Sequence, residues 1–181
     1  FSRNDSLQID GIVVFGDYNL LPSMTPGFYD DRDASISYEP FVFWTEAESR
    51  FTPPRGPIGA SEQTATNAGS VAQMRVDGNA LTLYYTTNSR NSDHVQVCLL
   101  VTGATIHCTQ EAAVSVDAIR NPDNPPPYAL AVELSNFSQA GRRNYFTPIM
   151  FYGLGAGDHV VIFENLDHQR TFSVDAILVQ D

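Results

Sequence analysis

The sequence predicts an all-β fold, a jelly-roll β-sandwich carrying an additional N-terminal strand segment. Three observations predict it. Short runs rich in β-branched and aromatic residues recur along the chain, at 9–15, 36–44, 70–76, 80–86, 94–101, 105–109, 129–134, 146–151, 159–164 and 171–179. Gly, Pro, Asn and Asp separate them, which is the punctuation of strands and turns. Within 80–86, Leu81, Leu83 and Tyr85 fall on one face and Thr82, Tyr84 and Thr86 on the other, the period of two that marks a strand between unlike surroundings. Only one segment, 45–50, reads as a helix, and it is short. Eight to ten short strands without a long helix make a sandwich or jelly roll.

The N-terminal element comes first. Residues 7–15 carry Leu7, Ile9, Ile12, Val13, Val14 and Phe15, an apolar strand ahead of what reads as an otherwise complete module. The boundary is placed at 26/27, giving an extension over 1–26 and a sandwich over 27–181. Next, the stretch Phe51-Thr-Pro-Pro-Arg-Gly-Pro-Ile-Gly59 is too rich in Pro and Gly to hold a ladder and reads as a crossing loop. Asn121-Pro-Asp-Asn-Pro-Pro-Pro127 reads as a stiff extended bridge between the middle and C-terminal strands. In the last run, Val174, Ala176 and Leu178 alternate with Ser173, Asp175, Ile177 and Val179, so both faces are expected to be partly covered.

Charge narrows the partners. The 181-residue chain has 21 acidic residues against 10 basic ones, a net charge of −11. Every basic residue is Arg; there is no Lys. Nucleic acid is excluded as a partner because phosphate recognition needs a basic face. Anionic membrane surfaces are disfavoured for the same reason, and no apolar run is long enough to insert in a bilayer. The chain opens on Phe1, which reads as a sign of processing.

Two cysteines lie in His94-Val-Gln-Val-Cys98-Leu-Leu-Val-Thr-Gly-Ala-Thr-Ile-His-Cys108. A hairpin folded about Gly103 sets Cys98 opposite Cys108, at a separation that suits a disulfide. Such a bridge implies an oxidising, extracellular or cell-surface setting. The alternative is a pair of buried thiols packing as small apolar groups.

Five motifs carry a family resemblance. Tyr29-Asp-Asp-Arg-Asp-Ala-Ser-Ile-Ser-Tyr38, followed by Trp44, is similar to an opening strand; Asp77-Gly-Asn-Ala-Leu-Thr-Leu-Tyr-Tyr85 is similar to a central Gly-x-x-Leu-x-Leu-Tyr strand. Val95-Gln-Val-Cys-Leu99, Phe151-Tyr-Gly-Leu-Gly-Ala-Gly-Asp-His-Val-Val-Ile162 and Ser173-Val-Asp-Ala-Ile177 supply a hairpin arm, a Gly-Leu-x-x-Gly-x-His segment and a closing strand. From about Tyr29 onward the order resembles the galactose-binding-like jelly rolls of bacterial and fungal cell-surface proteins, relatives in shape of many carbohydrate-binding modules. Two departures stand out: Val101-Thr-Gly103 replaces the usual Asp-Gly turn, and residues 1–26 have no counterpart.

The resemblance implies two kinds of site. Related jelly rolls hold a structural calcium near the N-terminal loop and last strand, which points to Asp30, Asp31, Asp33 and Asp175. Calcium takes six to eight oxygens, and carboxylates mixed with backbone carbonyls suit it. Sugar recognition needs aromatic rings that stack on a pyranose beside polar groups. Trp44, Tyr84 and Tyr128 are the candidates, with Tyr145 and Tyr152 behind them; core packing is the competing role for each.

Catalytic patterns are missing from the sequence: there is no Gly-x-Ser-x-Gly, His-Glu-x-x-His or Cys-x-x-Cys. Gly153-Leu-Gly-Ala-Gly157 precedes a strand, so it is a turn and not a dinucleotide fingerprint. His94, His107, His159 and His168 are scattered over separate runs. The expectation is a non-enzymatic extracellular or cell-surface structural protein that self-associates, with residues 7–15 donated to a neighbouring subunit as a filament would require. The alternative is a carbohydrate-binding module.

Overall fold

The computed structural model describes residues 21–101, 106–108, 137–152, 154 and 157–181, with the backbone alone at 99–101, 106–108 and 152. Its strands are β1 (Ser23–Met24), β2 (Gly27–Asp30), β3 (Ile36–Glu39), β4 (Trp44–Glu48), β5 (Ser61–Ala65), β6 (Val71–Asp77), β7 (Ala80–Thr87), β8 (Val95–Val101), β9 (Ile106–Cys108), β10 (Asn144–Tyr152), β11 (Asp158–Asn165), β12 (Phe172–Val174) and β13 (Ala176–Gln180). One sheet runs β1-β6-β11-β8-β9, with β3 also on β6; a second runs β10-β7-β13-β2; a small third runs β12-β5-β4. Successive strands cross between the first two sheets, β6 to β7 to β8 and β10 to β11, which is the wrap of a jelly-roll sandwich.

The period of two in the sequence becomes the core. Leu81, Leu83 and Tyr85 of β7 turn inward with Phe151 of β10 and Ile177 and Val179 of β13. They meet Met74 and Val76 of β6, Val161 and Phe163 of β11 and Val97 of β8. Phe151 and Phe163 touch across the interior with ring centroids 5.4 Å apart, and Phe137 packs edge-on to Phe163 at 6.3 Å. Burying each such ring contributes about 1.5–3 kcal/mol.

Several elements differ from the sequence reading. The run at 36–44 is broken by cis-Pro40 and a 3-10 turn over Phe41–Phe43. The segment read as helical is strand β4, paired antiparallel with β5 from Trp44↔Ala65 to Glu48↔Ser61. The final run is two strands: β12 belongs to the small sheet and β13 to the four-stranded one, and the chain changes sheets at Asp175. Strands β1, β2 and β5 have no counterpart among the expected runs. Met24 of β1 is fully buried in the core. The runs at 9–15 and 129–134 and the bridge at 121–127 lie outside the described residues.

Candidate functional site

A cleft of about 290 Å³ opens where the β4–β5 hairpin meets the start of β10. One wall is the loop joining β4 to β5, and local bonds fix its shape. Ser49 N donates to Ala60 O at 2.7 Å, Phe51 N to Ser49 Oγ at 3.1 Å, and the amides of Arg55 and Gly56 both donate to Thr52 O at 3.0 and 3.1 Å. Gly56 is there for space: a Cβ would sit 1.8 Å from Phe51 O. The loop is closed from beneath by Ile58 N, which donates to Asp175 Oδ1 at 2.7 Å. Phe51 is thereby held at the cleft with 57% of its surface exposed.

The opposite wall is made by a bulge. Pairing of β10 with β7 slips between Asn144 and Thr147, and Phe146 takes a φ of 60°. An extra residue in one strand re-aims the side chains around it. Tyr145 lines the cleft, whereas Phe146 stacks on Tyr84 with ring centroids 4.3 Å apart and planes 5° from parallel. Arg143 also lines the cleft, its Cζ 5.0 Å above the Tyr145 ring centroid. A guanidinium in that position is attracted by the ring's negative face.

Glu48 and Glu62, from the two arms of the hairpin, complete the polar lining with Arg50. Glu62 Oε2 is buried without a hydrogen-bond partner. Burial pushes the Glu62 carboxyl up from its ordinary value, against the pull of the Thr86 hydroxyl and the Arg143 guanidinium. The cleft thus offers two aromatic rings and two guanidiniums beside a half-buried carboxyl on a preset framework.

The residues named for calcium separate into two pairs. Asp30 is engaged by Arg32, whose Nε donates at 3.2 Å, and Asp33 Oδ1 accepts from Ser35 N at 2.8 Å. Asp31 and Asp175 are fully buried, and Oδ2 of each has no hydrogen-bond partner. Burial pushes the Asp31 carboxyl up to about 7, offset by the Ser61 hydroxyl and reinforced by Asp30. Burial likewise pushes Asp175 up to about 8, offset by the Ile58 amide and reinforced by Glu62, Asp31 and Asp30. A carboxylate oxygen without a partner is the kind of ligand a hard cation takes. No group of three or more His, Cys, Asp or Glu side chains able to hold a metal ion occurs among the described residues.

Of the sugar-binding candidates, Trp44 is 7% exposed and packs between Tyr38, at 4.7 Å, and Phe172, at 5.3 Å. It joins the core because β4 turns that position inward, so it presents no stacking face. Tyr84 lies on the outer face of the four-stranded sheet with one ring face covered by Phe146. Tyr128 and the side chain of Tyr152 lie outside what is described, as do Leu7, Ile9, Ile12, Val13, Val14 and Phe15. Of the three whose side chains are described, Trp44, Tyr84 and Tyr145, only Tyr145 lines the cleft. Its partners Phe51, Arg50, Arg143 and Glu62 were not singled out by the sequence reading, although the Pro/Gly-rich loop and the Arg142-Arg143 pair mark both walls.

The β8–β9 register places Cys98 directly opposite Cys108, and Cys98 is buried. His94 Nδ1 lies 3.0 Å from Asp167 Oδ1, while His159 is buried in β11, so neither stands in the cleft.

No protein-family model and no curated protein matches this chain. Among solved structures, an exo-β-1,3-galactanase from Phanerochaete chrysosporium aligns with 86% of the chain at 12% identity and a TM-score of 0.46. The chain spans only 29% of that protein's length. A family 6 carbohydrate-binding module aligns over 88% of this chain and 97% of its own, at 8% identity and a TM-score of 0.44. Another such module, from the Cellvibrio mixtus lichenase 5A in complex with cellotriose, aligns over 87% and 98%, at 13% identity and 0.42. At these identities and TM-scores none of the likenesses carries a function across.

Proposed function

We propose that this chain is a glycan-binding module of an extracellular or cell-surface protein and that the cleft beside β10 is its sugar site. The observation that carries the reading is the meeting of Tyr145 and Phe51 with Arg143, Arg50 and Glu62 on two walls whose backbone is fixed before any ligand arrives. Sugars present apolar C–H faces edged by hydroxyls. Exposed rings take the faces, and charged side chains take the hydroxyls with hydrogen bonds stronger than neutral pairs make. A preset wall spares the ordering cost of binding. The cleft is small, which suits one or two sugar units of a longer chain.

The test is a glycan array followed by calorimetric titration. Tyr145→Ala should weaken binding by about fivefold, since stacking of this kind contributes about 1 kcal/mol. Its melting temperature should stay near that of the parent because the ring is only half-buried. Unchanged affinity in a stably folded Tyr145→Ala protein would remove the cleft as the site.

A further inference from the structure

We propose that the glycan taken by this cleft is acidic, its sugars carrying a carboxylate or a sulfate that docks on Arg50 and Arg143. The inference rests on the glycan-binding reading above. Its ground is the distribution of arginine. Of the chain's ten arginines, Arg50 and Arg55 belong to the loop on one wall, and Arg142 and Arg143 immediately precede β10 on the other. All four are exposed.

Among the described residues none of the four joins an ion pair. The arginines that do are Arg32, with Asp30 and Glu46, Arg75, with Asp158, and Arg170, with Asp93. In a chain with 21 acids to 10 bases, a guanidinium has carboxylates to spare. Five described arginines have none, and two of them, Arg50 and Arg143, line this one opening, leaving planar forks of N–H donors at the cleft. That fork matches the oxygens of a carboxylate or sulfate two at a time. Arg143 is further held over the Tyr145 ring at 5.0 Å, so its donors are positioned in advance.

The cleft also holds two acids. Burial pushes the Glu62 carboxyl up, against the pull of the Thr86 hydroxyl and the Arg143 guanidinium. Neither Glu62 nor Glu48 forms an ion pair with Arg50 or Arg143 among the described residues, so both guanidiniums keep N–H donors for a ligand. The net charge of −11 repels anions at long range, but that field is screened over roughly 8–10 Å at physiological ionic strength, and the local guanidiniums decide what is held at contact.

The experiment is calorimetric titration of the full chain with three oligosaccharides of equal length: an oligogalacturonate, its fully methyl-esterified form, and a sulfated galactan fragment. The free acid or the sulfate ester should bind at least about tenfold more tightly than the neutral ester, as a charge-assisted pair predicts. Whichever of the two binds more tightly identifies the oxyanion. The Arg50→Gln and Arg143→Gln double variant should bring the charged ligand down to the affinity of the neutral one, with the melting temperature unchanged because both side chains are exposed. Equal binding of acid and ester, preference for a neutral glycan on the array, or indifference to the double variant would overturn the acidic ligand and leave the glycan reading standing. Failure of every oligosaccharide to bind would overturn both.

Discussion

Ile58 N donates to Asp175 Oδ1 across 2.7 Å, joining the end of the cleft loop to the point where the last run of chain changes sheets. Asp175 N in turn donates to Tyr84 O at 2.9 Å. One residue therefore holds the loop, the break between β12 and β13, and the middle of β7.

Asp175→Ala would leave the Ile58 amide without its acceptor and should cost about 1–3 kcal/mol. Asp175→Asn keeps an acceptor oxygen and separates bonding from charge. The folded-state carboxyl is raised, to about 8 for Asp175 and about 7 for Asp31. A raised acid binds its proton more tightly when folded. Its contribution is therefore complete below the unfolded value near 4 and declines as pH rises, levelling off above the folded value. The melting temperature should fall from pH 5 to 9, and it should fall less in Asp175→Asn. Parallel pH profiles for the two proteins would refute the assignment. Millimolar calcium at pH 8 should raise the melting temperature of the parent and not of Asp175→Asn, since a cation seated on the Asp31 and Asp175 oxygens binds only the native state. No response to calcium would refute a cation site at Asp31 and Asp175.

Gly56→Ala should damage the cleft without touching a ligand. The added methyl would lie 1.8 Å from Phe51 O and 2.5 Å from Phe51 C, and backbone cannot step aside cheaply. Overpacking of this kind costs about 1–3 kcal/mol, or about 2–4 °C per kcal/mol at this chain length. Displacement of Phe51 should weaken glycan binding as well. Unchanged stability and affinity together would show that the loop is not held as described.

The register of Cys98 against Cys108 predicts a disulfide. Alkylation of the unfolded protein without reductant should add no mass, and replacing both cysteines by serine should cost about 2–3 kcal/mol. Two alkyl adducts would refute the bridge.

The sequence by itself determined the class of fold and the core of its central strand. Alternation of Leu81, Leu83 and Tyr85 with Thr82, Tyr84 and Thr86 is local information, because side chains of one strand point to opposite faces whatever they meet. It determined the cysteine register for a like reason: a hairpin pairs residues by counting outward from its turn. Tertiary structure decided the rest. Residues 45–48 read Thr-Glu-Ala-Glu, and Glu and Ala favour helices, yet pairing with β5 draws them into β4; a ladder of backbone bonds outweighs a few tenths of a kcal/mol of propensity. Asp175 sits in an apolar run that looks continuous, and only the packing of two sheets against the loop shows that the chain turns there. The cleft is the clearest case. Phe51 and Glu62 meet Arg143 and Tyr145 across some eighty residues of chain, and neither wall carries a pattern that names the other, because a cleft between strands is a product of how sheets cross and not of any local period.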